Sequence, residues 1–594
     1  MSKTSKKRSA KKESFLNDLF RVAKMMFKAS PFWMIILQAV AILYGLTCGF
    51  QVIVTRSFFD AIAEQAGRGQ GILSLLWQTL SFGGILLLVQ LLSGIDQFLE
   101  SPAITAFELA FKTAICEKTT KMNPIDFESS DFLDSIYKAP RNIYSMLFAP
   151  LIVLRIFTFY IPYFGITAGF YFSLQPELVF SILAIFIPSL FTLVARNKFY
   201  ADLDNTVAPL WRRYEYMEKT IGDREYFKET RLLGAFGLLR GIYVEAITIL
   251  NKRIWKTEKK MVLIETGLRL LTLSGYIGIL WLLFTYLLDG KITVGAFAAV
   301  FSSIGMVISF MEDIVVNNMG YVSYLSRYLR YYVQYLDLPE REGVMQVPES
   351  SEMELKNVTF RYPGRDSDTI RGISLSIKEG ETIAVVGDNG AGKTTLIRLL
   401  SGLYFPKEGQ VLIGGVDTKQ VSSKSIYQSF SAVFQNYQRY QSTLKDNVIA
   451  SKPENENPSE ALEKADVEVQ SSTFPDGLDT MLSREFDGVD ISGGQWQRVA
   501  IARGYHREHG IILLDEPTAA IDPIEESKIY SQFTNISKGK TAIIVTHRMG
   551  SAKIADRIVV MKDGVIDDIG NHDELVRRKG HYADMWAAQA KWYE

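Results

Sequence analysis

The chain has 594 residues, 65 basic against 65 acidic side chains, 48% apolar residues and two cysteines. Its length allows several domains and a large core, which excludes a disulfide-stapled scaffold. The charge balance excludes a global basic field for nucleic acid, and the apolar content excludes a disordered chain. Cys48 and Cys116 sit in or beside apolar runs, and no Cys/His tract of the metal-binding kind occurs.

Residues 1–30 begin with Lys3, Lys6, Lys7, Arg8, Lys11 and Lys12. A secretory signal would continue with a short apolar stretch and a small-residue cleavage site. The run from Pro31 to Thr55 is too long and has no such site, so it reads as a retained membrane span. A bilayer core needs about 20 mostly apolar helical residues. Six stretches qualify: 33–54, 72–95, 144–172, 177–195, 262–288 and 292–316. The first, WMIILQAVAILYGLTCGFQVIV, and the heart of the fifth, GYIGILWLLFTYLL, carry no charge at all. Six long buried helices of a soluble protein are the alternative, opposed by these uncharged full-length runs.

The connections alternate in length. Those after spans one, three and five are short and carry only Arg56, Arg68 and Lys291; those over 96–143 and 196–261 are long, and the latter is basic from Arg196 to Lys260. Positive charge collects on the cytoplasmic side, which predicts that the N-terminus and the long connections face inward. Arg155 falls within span three, and Glu312 and Asp313 end span six. Glu265 and Arg269 in span five share a helix face at i, i+4 and are expected to pair. Intramembrane charge usually faces a cavity or a partner. Beyond the spans, 321–332 reads as an amphipathic helix and 339–351 as a linker.

From 353 the texture changes to short β-rich runs (MELKNVTF, TIAVVG, AVFQ, IILLD, TAIIVTH, RIVVMKDG) alternating with helical ones, which predicts an α/β domain with a mainly parallel sheet. Within it, Gly387-Asp-Asn389-Gly390-Ala-Gly392-Lys393-Thr394 fits the G-x4-G-K-[ST] P-loop, after the strand ThrIleAlaValVal and before the helix ThrLeuIleArgLeuLeu that starts at Thr395. Glycines let backbone N–H groups curl round phosphates, lysine reaches the terminal phosphoryl oxygens and Thr394 offers a hydroxyl to Mg²⁺. An ordinary glycine turn would not need the strand, the helix and Lys-Thr together. The strand IleIleLeuLeuAsp515 delivers a carboxylate to the metal side, and Glu516 follows as a general base for water. Ser492-Gly493-Gly494-Gln495 exposes N–H donors and a hydroxyl at a helix start, which suits a phosphate; taken alone it is better read as an ordinary N-cap.

A P-loop, an LSGGQ-like segment and then an apolar strand ending in Asp-Glu resemble the ATP-binding cassette (ABC) family over about 353–590. The six preceding spans resemble the exporters in which membrane domain and ATPase are fused as a half-transporter. The resemblance implies a six-helix membrane α-helical domain with long cytoplasmic extensions over 31–335 after a basic N-terminus (1–30), a linker at 336–352 and an α/β P-loop ATPase domain over 353–594. It implies ATP and Mg²⁺ as ligands, with Tyr362 as the adenine-stacking aromatic, Gln435 as a Mg²⁺-sensing glutamine, Asp522 in the loop after the acidic strand and His547 as the switch histidine at the γ-phosphate. Catalysis falls to Glu516 and His547, and metal binding to Thr394, Gln435 and Asp515. In this family ATP lies between the P-loop of one cassette and the Ser-Gly-Gly-Gln of another, so one chain with one cassette is expected to pair. With both halves intact a homodimer is favoured. A departure lies at 480–490, ThrMetLeuSerArgGluPheAspGlyValAsp, where many exporters carry Thr-x-Val-Gly-Glu-x-Gly. Helices near 122–132 and 221–231 are the candidates for docking on cassettes and passing on their closure.

The segments around Gln435–Tyr440, Ser492–Arg503 and Asp522–Glu525 resemble lantibiotic-type peptide exporters. The expected function is ATP-driven export of a modified peptide across the plasma membrane, with the N-terminus and ATPase cytoplasmic and the bilayer, the peptide and a second copy as partners, nucleic acid excluded. With about 30 residues before the first span and no Cys-protease domain, leader removal is not expected in this chain. A lipid or multidrug exporter of the same fold is the alternative, and a non-transporting ABC ATPase is opposed by the six spans.

Overall fold

The computed structural model describes residues 15–68, 75–223, 226–507, 509–515 and 534–590. They form two compact units: one draws on residues up to Cys116 and on Ile136–Asp337, the other on Glu117–Ser135 and everything from Leu338.

The first unit is helical. Among the described residues, six helical stretches are long and apolar enough to cross a membrane: Pro31–Gln65, Leu76–Thr120, Ile143–Leu174, Pro176–Tyr200, Phe236–Leu288 and Val294–Leu336. They coincide with the six expected spans but run well past them, because the long connections are themselves helical: one helix covers Ile187–Gly222 and another Phe236–Leu288. Span six likewise continues beyond Glu312-Asp313, through a π-helical turn (Asp313–Met319) into an amphipathic helix, Gly320–Leu336. Large apolar side chains such as Phe98 and Trp281 stay exposed on spans two and five, a surface that suits lipid better than water.

Close helix approach depends on missing side chains. A Cβ on Gly45 would lie 2.3 Å from the Phe159 carbonyl oxygen, and one on Gly295 would lie 2.3 Å from that of Arg56. Small residues at such crossings let backbones meet, as membrane packing requires. Polar groups are gathered in pairs. Asp96, nearly buried, binds Arg155, which also stands 4.0 Å from Glu100. The π-helical turns of spans three (Ile156–Tyr160) and six are tied where Tyr160 donates to Asp313 Oδ2 at 2.5 Å and Asn318 donates to Tyr160 at 3.2 Å. The expected Glu265–Arg269 pair is replaced by an interhelical one: Glu265 meets Arg196 of the preceding helix at 3.5 Å. Sharing a face is a local condition, and a cation on the neighbouring helix competes for the same carboxylate.

The second unit holds two sheets. β1 (Met353–Phe360), β2 (Ile370–Ile377), β4 (Glu408–Ile413) and β5 (Val416–Asp417) form an antiparallel sheet in the order β2-β1-β4-β5. β3 (Thr382–Gly387), β6 (Phe430–Val433), β7 (Ile511–Asp515), β8 (Thr541–Val545), β9 (Arg557–Lys562) and β10 (Val565–Gly570) form the other, in the order β10-β9-β3-β8-β7-β6. All its pairings are parallel except β9–β10. The expectation of a mainly parallel sheet therefore holds for the central strands, while MELKNVTF belongs to the separate antiparallel sheet; its burial alternates, as one wet face requires. β7 and β8 are buried at every residue, which accounts for their unbroken apolar runs.

The stretch expected as a linker is ordered against this unit. Val344 and Met345 both donate to the Gln420 carbonyl, and Arg341 stacks on Phe405 at 4.5 Å while donating to Gly402 O at 2.8 Å. Burial, aided by nearby Lys540, lowers the His509 pKa to about 4.

Two predictions follow from this packing. Gly45→Leu should destabilise the purified protein by about 1–3 kcal/mol, the usual cost of overpacking, seen as a lowered unfolding midpoint in detergent. Gly83→Leu, where nothing lies within 4 Å, should leave the midpoint in place. His509 is neutral in the fold and binds a proton more readily when unfolded. Stability should therefore fall as pH drops from His509's ordinary value of 6.5 towards about 4. Denaturant titrations of His509→Gln across that window should show a flatter dependence than wild type.

Candidate nucleotide site

The site is built from the carboxyl ends of the parallel strands, where open α/β sheets place their ligands. Register sets the layout. Val385 of β3 pairs with Val545 of β8, which pairs in turn with Asp515 of β7. The carboxylate of Asp515 thus starts two residues below Gly387, the first P-loop glycine, and His547 follows two residues above the same row. Asp515 is buried, Gln435 lies just past the end of β6, and His547 is exposed.

The loop after β3 fits a phosphate group. Gly387, Gly390 and Gly392 all have positive φ, 149°, 86° and 100°. A Cβ on Gly387 would lie 2.1 Å from the Met561 carbonyl oxygen, whereas one on Gly390 would meet nothing within 4 Å. Gly392 is the N-cap of the helix Lys393–Leu400, so the N-terminal end of the helix, where backbone N–H groups point outward, opens on the cradle. Lys393 is buried and its Nζ donates to Gly387 O at 2.8 Å and Asp388 O at 3.1 Å, which folds its charge over the loop.

A cleft of about 690 Å³ is lined by Tyr362, Arg365, Asn389, Gly390, Gly392, Lys393, Thr394, Thr395, Gln435, Arg398 and Glu128, among others. The structure thus gathers most of the expected nucleotide residues. Tyr362 stands at its edge, with Arg365 5.8 Å from its ring centre and Tyr404 edge-on at 5.9 Å. Its hydroxyl hydrogen-bonds with Thr395 Oγ1 at 3.1 Å, which leaves Thr395 as a buried brace for the aromatic. Glu516 and Asp522 lie outside the described residues.

Two of the lining residues that were missed, Arg398 and Glu128, are joined by a hydrogen-bond network. Arg398 donates to the hydroxyls of Tyr362 (3.2 Å) and Tyr404 (3.1 Å) and to Glu128 Oε1 (3.0 Å), which also accepts from Tyr404 at 2.5 Å. Burial, reinforced by the Glu128 carboxylate, pushes the Tyr404 hydroxyl pKa up. Arg398 stands one helical turn beyond Thr394 and could have been found by that spacing. Nothing local points to Glu128, which sits in a 3-10 turn (Pro124–Glu128) between spans two and three; there Ile125 packs against the cassette core and Lys118 pairs with Glu340 at 2.9 Å. This is the first of the two expected docking segments. The second forms a short helix, Phe227–Leu232.

Ser492, Gly493, Gly494 and Gln495 are absent from the lining of this cleft. Ser492 caps the helix Gly493–His506 in a complete capping box with Gln495, whose amide also donates to Thr473 at 3.2 Å. Ser492, Gly493 and Gly494 are exposed, and a Cβ on either glycine would meet nothing within 4 Å. The N-cap and phosphate-binding readings are compatible: the box orders the helix start and leaves it open. In the departure at 480–490, a Cβ on Gly488 would lie 2.1 Å from the Met481 carbonyl, and Arg484 pairs with Asp490 at 3.4 Å.

These contrasts give a paired prediction. Gly387→Ala must displace the Met561 backbone and should weaken binding of a fluorescent ATP analogue by tenfold or more, about 1.4 kcal/mol. Gly390→Ala meets only the conformational penalty of a positive φ and should weaken it less.

Residues 370–519 match the family model described as ABC transporter. The subtilin transport ATP-binding protein of Bacillus subtilis is 29% identical over 527 residues, 85% of this chain and 84% of that one. The nisin transport ATP-binding protein of Lactococcus lactis subsp. lactis is 29% identical over 314 residues, 50% and 52% of the two chains. The ATP-dependent lipid A-core flippase of Escherichia coli (strain K12) is 36% identical over 243 residues, 40% and 41%. A solved bacterial Atm1-family ABC exporter with ATP bound shares the fold at a TM-score of 0.70 and 22% identity, over 93% of this chain and 97% of that one. With six helices long and apolar enough to cross a membrane ahead of an ABC transporter domain at 370–519, the chain is a multi-pass membrane protein that has the fold of an ABC exporter and is similar to the subtilin and nisin transport proteins.

Proposed function

We propose that two copies of this chain form an ATP-hydrolysing exporter of a modified peptide, with 31–335 as membrane domain, 336–352 as linker and 353–594 as cassette. The observation that carries the pairing is the separation within one chain of the P-loop cleft from the open Ser492–Gly494 turn. An exposed helix start with free N–H donors favours an anion, and a second chain's cleft supplies one. The peptide reading rests on the similarity to the subtilin relative along most of the chain.

Bound ATP supplies the phosphoanhydride whose hydrolysis drives the cycle. Lys393 and the glycine-loop amides would hold its phosphates, Tyr362 its base, and Thr394, Gln435 and Asp515 the Mg²⁺. Glu516 would take the proton of an attacking water, Asp522 would lie at the contact between cassettes, and His547 would meet the developing charge at the terminal phosphate. The basic 196–261 connection supports a cytoplasmic orientation for the N-terminus and cassette in the plasma membrane.

The ATPase rate of the purified protein in lipid nanodiscs, with modified peptides, lipids and cationic dyes added in turn, tests this reading. A lanthionine-type peptide should raise the rate saturably and dyes should not. Stimulation by lipids or dyes alone would transfer the assignment to a lipid or multidrug exporter. Glu516→Gln should reduce turnover by a factor of at least about 100, the lower range for a general base, while nucleotide binding survives; an unchanged rate would remove Glu516 from the mechanism.

A further inference from the structure

The cassette's last described helix, His581–Ala590, lies behind the candidate site, and nothing in the expected mechanism uses it. Its Tyr582 is buried in a cluster with Ala384 and Val386 of β3 and with Met549 and Ala552. The helix is therefore packed both on the strand that ends in the P-loop and on the segment that follows His547. At its start, His581 Nε2 stands 3.1 Å from Asp388 Oδ2 of the P-loop, near enough for charge but without hydrogen-bond alignment. In its middle, Trp586 lies under Lys553, 4.2 Å from the ring centre.

The decisive contact is near its end. Gln589 Oε1 accepts from the Met549 N–H at 2.8 Å, and Gln589 Nε2 donates to the His547 carbonyl. One side-chain amide thus grips the main chain on both sides of Arg548. From the inner side, Thr546 Oγ1 accepts from the Arg548 N–H at 3.0 Å and hydrogen-bonds with Ser551 at 3.0 Å. The turn that carries His547 is held between these two grips. A donor and an acceptor are needed at once, at fixed spacing, and the neutral amide of Gln589 provides both.

We propose that Gln589 is a positioning residue for ATP hydrolysis: it fixes the backbone from which His547 projects, and so sets where the imidazole stands relative to the P-loop. The inference rests on the reading of His547 as the switch histidine. Losing the clamp frees the turn without removing any group that would touch nucleotide. The loss therefore belongs in the catalytic step, not in binding.

The test is steady-state hydrolysis of radiolabelled ATP by the full-length protein in nanodiscs, for Gln589→Ala, Gln589→Glu, His547→Ala and the double variant Gln589→Ala/His547→Ala. Gln589→Ala should lower kcat about tenfold with KM for ATP within twofold. Gln589→Glu conserves shape and the acceptor for Met549 but sets an oxygen against the His547 carbonyl, so it should fall with the alanine variant; a space-filling role would instead let it recover wild-type rate. In the His547→Ala background, Gln589→Ala should cost nothing further, because the residue it positions is gone. Wild-type kcat in either Gln589 variant, or an equal tenfold loss with and without His547, would overturn the inference while a collapsed His547→Ala rate leaves the switch reading intact. A wild-type rate for His547→Ala would overturn both.

Discussion

The parallel pairing of β3 with β9 on one side and β8 on the other is the constraint on which the cassette's chemistry depends. It makes the glycine loop the continuation of a fully enclosed strand and brings the ends of β7 and β8 to the same edge. Because side chains alternate at a period of two, a one-residue slip in this register would turn Asp515 away from the edge row. The contact that would be closed to any side chain at Gly387, against the Met561 carbonyl of β9, belongs to the same pairing. The cradle is therefore a property of the sheet before it is a property of the loop.

The membrane-type unit solves a different problem. Its spans expose apolar surface outward, so tight assembly cannot rest on burying that surface from water. Backbone contact at Gly45 and Gly295 and paired polar groups take its place. The Asp96–Arg155 pair and the Tyr160–Asp313–Asn318 group join spans two, three and six; the second of these sits where two helices widen into π-turns, so local helix irregularity and intramembrane polarity coincide.

The segment between spans two and three packs with the cassette. Ile125 rests on the cassette core, and Glu128 shares Arg398 with the hydroxyl of Tyr362. Charge-assisted bonds thus run from this segment to the aromatic at the edge of the nucleotide cleft, and a neutral hydroxyl–hydroxyl bond continues to Thr395 of the P-loop helix. Bonds to a charged group are stronger than neutral ones and directional, and they tie the segment to the edge of the cleft.

The sequence by itself determined the elements whose signals are local. Uncharged runs as long as a bilayer, a glycine loop between a strand and a helix, and an apolar strand ending in Asp515 each state their role within about 25 residues. The N-cap at Ser492 was equally plain, because it stands directly before the helix it caps, while the reciprocal bond from Gln495 came with the structure. What tertiary structure decided were the partnerships between distant positions. Glu265 took Arg196 over Arg269, MELKNVTF joined an antiparallel sheet, the presumed linker folded onto the cassette through Arg341, Glu128 entered the nucleotide cleft, and Gln589 closed on the turn of His547. Periodicity reports which face of an element is apolar. It carries no information on which remote donor reaches which acceptor, since that depends on how the elements are brought together in space.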